Sequence, residues 1–240
     1  MAKFLKHESC PQCGSRDNLG RYSDGSAWCF GCGYYERSDT SPFVGERNGK
    51  TEEYDDRERV CFPDDATNTL DGRGCEWLAK YGLTPVDAIK AGFKWSPKWE
   101  QLLMPFYGED DELCCIQAKN FNPKRASKAK YYNIGEKAKS RTIYGSHGEL
   151  LVLTEDAVSA LVVSRVADAK PLLGTSISRY HLSLLKGHYD ALAVWLDNDK
   201  WREAREIADA AKLLGLDCRT IFTEKDPKEY SLDEIKKFVA

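Results

Sequence analysis

Four of the nine cysteines in this chain of 240 residues have the spacing of a metal site. Cys10 and Cys13 are two residues apart, Cys29 and Cys32 likewise, and fifteen residues separate the pairs. Two such knuckles bring four thiolates around one ion, a pattern read as zinc. Four sulfurs close the tetrahedron and leave no open position, so the ion would hold structure rather than do chemistry. Gly14, Gly31 and Gly33 give the knuckle backbones room to turn. A segment this short buries too little apolar surface to fold unaided, so metal would supply the stability. An iron–sulfur centre or a redox disulfide is the competing reading. The other five cysteines (Cys61, Cys75, Cys114, Cys115, Cys218) read as small core residues.

A second constellation is acidic. Glu155 follows the apolar run Leu150–Thr154, and Asp197-Asn198-Asp199 follows Ala191–Leu196. Carboxylates gathered at neighbouring strand ends repel one another unless a divalent cation neutralises them. Magnesium on a few carboxylates plus substrate phosphates is a usual phosphoryl-transfer arrangement. Asp226, after the next strand, adds to the group. The plainer alternative is a set of solvated strand ends and helix caps, with Asp199 capping the helix from Lys200.

The third is basic. Lys119, Lys124, Arg125, Lys128, Lys130, Lys137, Lys139 and Arg141 are opposed only by Glu136. Phe121, Tyr131 and Tyr132 are interleaved, which suits phosphate neutralisation with base stacking on single-stranded nucleic acid. Lysines there could also meet triphosphates, and a solvated loop is the bland alternative. The cysteine region carries Tyr22, Trp28, Phe30, Tyr34 and Tyr35 with Arg16, Arg21 and Arg37. Each aromatic taken singly reads slightly better as small-core filling than as a stacking platform.

The elements that would position these groups follow from periodicity. Residues 1–37 read as an all-β ribbon and residues 38–57, polar and turn-rich, as a flexible linker. Within 58–145, Arg73–Tyr81 reads as a helix stopped at Gly82, and Thr84-Pro85 opens another that Gly92 closes. Leu102–Tyr107 and Glu112–Asn120 read as a hairpin. From 146 to 240, strands at Leu150–Thr154, Pro171–Leu173, Ala191–Leu196 and Cys218–Phe222 alternate with helices at 156–166, 178–185, 200–214 and 232–239. That alternation predicts an α/β fold, a mainly parallel sheet with helices on both faces. Ligands of such sheets sit at the carboxyl ends of the strands, where Glu155 and Asp197 fall.

The net charge of −3 argues against a histone-like wrapper but not against a nucleic-acid enzyme with local basic patches. No apolar run approaches the roughly 20 residues of a membrane span, and the N-terminus lacks a secretory core, so a cytoplasmic protein is expected, in a bacterial host if viral.

In this order, the motifs resemble the primase half of phage bifunctional primase-helicases and, more distantly, the DnaG-type bacterial primases. The telling stretches are Cys-Pro-Gln-Cys-Gly-Ser, Tyr-Gly-Leu-Thr-Pro-Val-Asp-Ala-Ile-Lys, Thr-Glu-Asp-Ala-Val-Ser-Ala-Leu and Trp-Leu-Asp-Asn-Asp-Lys-Trp-Arg. The resemblance covers essentially the whole chain. It implies a zinc ribbon that reads the template at 1–37, a basic α+β polymerase subdomain at 58–145, and a Toprim catalytic subdomain at 146–240. Glu155 matches the Toprim glutamate, as metal ligand or proton-transfer group. Asp197 and Asp199 match its Asp-x-Asp, and Asp226 its later acidic position, all toward Mg²⁺ or Mn²⁺. Lys119, Lys128 and Lys130 align with lysines that handle nucleotide and template, Lys128 also among the catalytic set. Implied partners are single-stranded DNA, ribonucleoside triphosphates, a replicative helicase and a DNA polymerase. Toprim domains usually carry Glu-Gly with an acid three residues after that Gly, whereas this chain has Glu155-Asp156-Ala157-Val158-Ser159. That altered run leaves open a non-catalytic, DNA-binding adaptor or another Toprim enzyme such as a nuclease. No Gly-x4-Gly-Lys-Ser/Thr loop occurs, so the helicase motor is expected on a separate protein or on a longer parent chain.

Overall fold

The computed structural model describes residues 3–32, 34–36, 59–126 and 129–240, which form two compact units divided near residue 56. The stretch expected as a linker, together with Gly33, Arg37 and Lys128, lies outside the described residues.

The first unit is a four-stranded antiparallel sheet, β1 (Phe4–Glu8), β2 (Leu19–Tyr22), β3 (Ala27–Cys29) and β4 (Tyr35–Glu36), in sequence order. Among the described residues its core is Cys10, Leu19, Ala27 and Cys29 with Tyr34 against them. Arg21 on β2 ties the sheet together, reaching Glu8 at 3.0 Å and Glu36 at 2.6 Å.

The larger unit contains two sheets. The first is antiparallel: β5 (Lys94–Ser96), β6 (Gln101–Tyr107), β7 (Leu113–Asn120) and β8 (Tyr131–Gly135). The expected hairpin is β6–β7, and β5 and β8 extend it on either side. Two helices precede it, α1 (Gly72–Ala79), capped by Asp71, and α2 (Pro85–Lys90), which starts on a reciprocal Thr84–Asp87 capping box. Gly82 and Gly92 sit at φ +67° and +78°, which only glycine adopts cheaply, and stop the two helices.

The second sheet is parallel throughout, in the order β10-β9-β11-β12. Its strands are β9 (Leu150–Thr154), β10 (Asp168–Pro171), β11 (Ala191–Val194) and β12 (Asp217–Thr220), with α3 (Pro123–Ala126) earlier in the chain and α4 (Ala157–Val163), α5 (Arg179–Leu185), α6 (Trp201–Leu213) and α7 (Leu232–Val239) around it. Alternate residues point to opposite faces. Val152 and Ala193 join α4, Ile235 of α7 and the antiparallel sheet's Met104 and Phe106 in one core. Leu151, Leu153, Leu192 and Val194 pack on Leu182 of α5 and Ile207 of α6 in the other. Helices thus cover both faces, as the α/β reading requires.

Strand β10 starts three residues earlier than the expected Pro171–Leu173 and ends at Pro171. Its Asp168 and Lys170 are buried charges, which hide a strand from hydropathy. Both are satisfied: Asp168 accepts from His147 N at 2.7 Å, Gly148 N at 3.1 Å and the Tyr189 hydroxyl at 3.1 Å, and Lys170 Nζ donates to Ser140 O at 2.9 Å. Tyr144 pairs antiparallel with Ala169 along the outer side of β10. Of the five remaining cysteines, Cys114, Cys115 and Cys218 are core residues as expected, whereas Cys61 is exposed and Cys75 half-buried.

Candidate functional site

In the ribbon, the Sγ atoms of Cys10, Cys13, Cys29 and Cys32 all lie within 4.8 Å of one another. Cys10 and Cys32 sulfurs are 3.6 Å apart, and those of Cys13 and Cys29 3.7 Å. A tetrahedron with Zn–S bonds of about 2.3 Å has edges of about 3.8 Å, whereas a disulfide closes to about 2.05 Å. The spacing therefore fits a four-sulfur metal site and not a pair of disulfides. Around it Trp28, Phe30 and Tyr35 are exposed, and Trp28 and Tyr35 sit with ring centroids 6.3 Å apart. For these three the core-filling expectation is corrected: the sheet is too thin to cover both faces, and they stand on the open one. Tyr22 and Tyr34 are half-buried. Arg21 is engaged by its two glutamates and so differs from a free phosphate contact.

At the carboxyl edge of the parallel sheet, β9 and β11 are direct neighbours. Trp195 N donates to Leu153 O at 2.9 Å, which carries the pairing on towards Glu155 and Asp197. Glu155 Oε2 and Asp197 Oδ1 are both buried without a hydrogen-bond partner. Burial pushes the Asp197 carboxyl up to about 7, against the opposing pull of Lys228, and burial likewise raises Glu155. Orphaned carboxylate oxygens are rare in proteins and call for an explanation such as an ion.

The other acids behave differently. Asp199 is exposed and its carboxylate is taken by the adjacent Lys200 ammonium, so it neither joins the buried pair nor caps α6, whose N-cap Lys200 makes no side-chain cap bond. Asp226 opens the short 3-10 turn Pro227–Glu229. Asp156 caps α4, accepting from Val158 N at 2.8 Å, Ser159 N at 3.0 Å and Ser159 Oγ at 2.8 Å. One ammonium serves three of these acids. Lys228 Nζ lies 2.9 Å from Asp156, 3.2 Å from Asp226 and 3.7 Å from Asp197. Sequence reasoning missed Lys228 and the part of Asp156. The available signal was a lysine two residues after Asp226, in Lys-Asp-Pro-Lys.

Helix α1 and strands β7 and β8 of the antiparallel sheet together form an aromatic enclosure around Lys119. Lys119 Nζ stands 4.7 Å from the Trp77 ring, 5.2 Å from Phe121 and 4.6 Å from Tyr131. Burial and the neighbouring Lys130 charge press its ammonium toward neutrality. The Tyr131 phenol is held well above its ordinary range, first by burial and then by the Asp156 charge, and Asp197 also acts on it. Lys119 and the acidic pair thus belong to one neighbourhood. Lys130 is exposed on the rim. Tyr132 is structural, its hydroxyl donating to Gln101 Oε1 at 2.7 Å. Lys137, a member of the basic stretch, donates to Leu173 O at 2.7 Å, beside Gly174, whose N–H binds Glu155 O at 3.1 Å. Asp197 also borders a cavity of about 330 Å³, walled in part by Leu196, Trp201, Ile221 and Phe222.

This architecture recurs in the primase fragment of the bacteriophage T7 primase-helicase protein, with a TM-score of 0.51 and 16% identity over 99% of this chain and 98% of that one. The fold is that of the phage-type primases. It extends to the RNA polymerase domain of Mycobacterium tuberculosis primase DnaG, with a TM-score of 0.56 and 15% identity over 68% of this chain and 74% of that one. In sequence, the chain is 28% identical over 176 residues to the DNA helicase/primase of Enterobacteria phage T3. That match takes in 70% of this chain and 29% of the phage T3 protein, so the chain spans less than a third of its curated relative. No family model matches the chain. The resemblance of the motifs to phage-type primases is therefore upheld by both sequence and fold. Among the described residues, no helix is long and apolar enough to cross a membrane.

Proposed function

We propose that this chain is a DNA primase that joins ribonucleoside triphosphates into short RNA primers on single-stranded DNA. The observation that carries the reading is the pair of unpartnered buried oxygens, Glu155 Oε2 and Asp197 Oδ1, at adjacent strand ends of a primase fold. Two buried carboxylates, each with one oxygen left unpartnered, fit a magnesium or manganese ion. Glu155 and Asp197 would hold it, with Asp199 and Asp226 on the flanking loops. When bound, the ion neutralises charge on the attacking and leaving oxygens of phosphoryl transfer.

The chain's own residues do the rest. Lys119 neutralises triphosphate or template charge, Lys130 extends that basic rim, Lys128 is given the same task from its place in the sequence, and Trp77, Phe121 and Tyr131 offer faces for stacking. The 3′-hydroxyl oxygen of one ribonucleotide attacks the α-phosphorus of the next and pyrophosphate departs. Glu155 acts as ligand or accepts the hydroxyl proton at Oε2. The ribbon holds zinc at Cys10, Cys13, Cys29 and Cys32 and presents Trp28, Phe30 and Tyr35 to template bases. A replicative helicase and a DNA polymerase are the protein partners of this reading, and the cytoplasm of a bacterial host is its setting.

A specific observation favours a second reading. Lys228 already neutralises acids at this edge, as expected of an adaptor that binds single-stranded DNA without chemistry. Incorporation of labelled ribonucleotides on single-stranded DNA with Mg²⁺ or Mn²⁺ separates the two. Wild type should give short RNA, and Asp197→Ala should lose at least about a hundredfold, with its melting curve retained. Absence of product from wild type, with DNA binding intact and helicase supplied, establishes the adaptor.

A further inference from the structure

We infer that Lys228 is a resident counter-cation that confines divalent metal to the Glu155 side of Asp197, so the acidic edge takes one ion where its carboxylates alone would take two. The inference rests on the primase reading and specifies its metal site.

The two oxygens of Asp197 have different surroundings. Oδ2 faces Lys228 Nζ at 3.7 Å, whereas Oδ1 is buried and unpartnered. Glu155 Oε2 is the other unpartnered buried oxygen. No ion pair to Glu155 occurs among the described residues, whereas Asp156 and Asp226 both bind Lys228, at 2.9 and 3.2 Å. The edge is thus divided. One half, between Asp156, Asp197 and Asp226, has a cation supplied by the chain. The other half, between Glu155 and Asp197, has none.

Lys228 is well placed for a permanent role. Its side chain is 15% exposed, and it stands on a 3-10 turn fixed by the reciprocal Asp226–Glu229 cap. Its nearest partner, Asp156, is itself fixed by three hydrogen bonds at the start of α4. Such an ammonium cannot swing aside without abandoning two short contacts. A divalent ion approaching Asp226 would meet a like charge at close range, which opposes binding. Lys228 also lessens the repulsion among the acids before any ion arrives, which makes it a positioning residue for Asp197.

The test is Mn²⁺ binding to the full zinc-loaded chain, followed by calorimetry and by electron paramagnetic resonance of free Mn²⁺, with primer synthesis measured in parallel. Wild type should bind one Mn²⁺ that Asp197→Ala abolishes. Lys228→Gln should bind a second ion, or bind the first at least tenfold more tightly. Lys228→Arg, which keeps the charge, should behave as wild type. Asp156→Asn still caps α4 but frees Lys228 to lean on Asp197, so Mn²⁺ should bind more weakly. It covers the case in which Lys228→Gln does not fold. Two ions on wild type, or Lys228→Gln matching wild type in number and affinity to within twofold, overturns the inference. If primer synthesis still depends on Asp197, the primase reading survives that result. Absence of both Mn²⁺ binding and primer synthesis in wild type overturns the two together.

Discussion

Several titratable groups of this chain are shifted by burial, and each shift has a sign that can be followed. Asp197 and Glu155 are raised by burial, Lys119 is lowered by it, and His181 is pushed down to about 4 by burial and by the Arg141 guanidinium, which lies 2.7 Å from its Nε2. For His181 the linkage is direct. An unfolded imidazole takes its proton near 6.5 and the folded one only near 4, so between these values the unfolded chain binds more protons and acid favours unfolding. The stability concerned is complete above about 6.5 and is lost as pH falls through the window. His181→Gln should therefore flatten the acid side of the melting-temperature profile between pH 6.5 and 4, read by calorimetry, with little change at pH 8. An unchanged slope would show that His181 is already solvated. The residues of the candidate sites were unequally legible in sequence. The four cysteines were readable from spacing alone, because a tetrahedron of thiolates demands it. Glu155 and Asp197 were readable because a polar residue ending a buried apolar run falls at a sheet's carboxyl edge. Lys228 was not, because its role depends on three acids from separate loops, and no local pattern records that meeting.

Among the elements, those with strong local chemistry follow the sequence closely. Leu150–Thr154 and Leu232–Val239 are observed with the expected limits, and α2 starts at the Thr84-Pro85 signal. What escaped was tertiary in origin. Strand β10 hides behind Asp168 and Lys170, whose charges are tolerated only because distant groups bond them. Strand β8 lies inside the basic stretch, and pairing with β7 makes it a strand despite its exposed side chains. The caps give a quantitative check at this scale. Removing the Thr84 hydroxyl breaks the half of the capping box in which Asp87 N donates to Thr84 Oγ1, together with the hydroxyl's own bond to the Asp87 carboxylate, and leaves the Thr84 N–H bond to Asp87 in place. Thr84→Ala should cost about 1 kcal/mol, or about 2–4 °C in melting temperature for a unit of this size. Thr84→Ser should restore most of that loss. If the alanine variant melts with wild type, α2 is held by packing alone.

At the scale of the whole molecule, the two units draw on different sources of stability. The larger one has extensive cores on both faces of its parallel sheet. Among the described residues the ribbon's hydrophobic core has four buried side chains, two of them cysteines, so it depends on Arg21 and, in the zinc reading, on the metal. Cys10→Ser should accordingly abolish bound zinc, measured by elemental analysis, and collapse the ribbon's amide signals in NMR. The melting transition of the larger unit should stay within about 2 °C, since its cores share no residue with the ribbon's. Loss of both units together would mean that they fold as one. Primer synthesis on a template should fall with the ribbon.

The strap that runs along β10 has a further consequence. Tyr144 and Ala169 exchange both of their backbone hydrogen bonds at 2.8 Å, and the neighbouring amides of His147 and Gly148 bind Asp168. A bare outer strand would offer another chain a ready template for pairing, and proteins commonly guard such margins with inward charges or covering loops. Here one segment provides both. It closes the sheet on that side against strand-by-strand accretion, so crowded chains meet a sealed border and not an adhesive one.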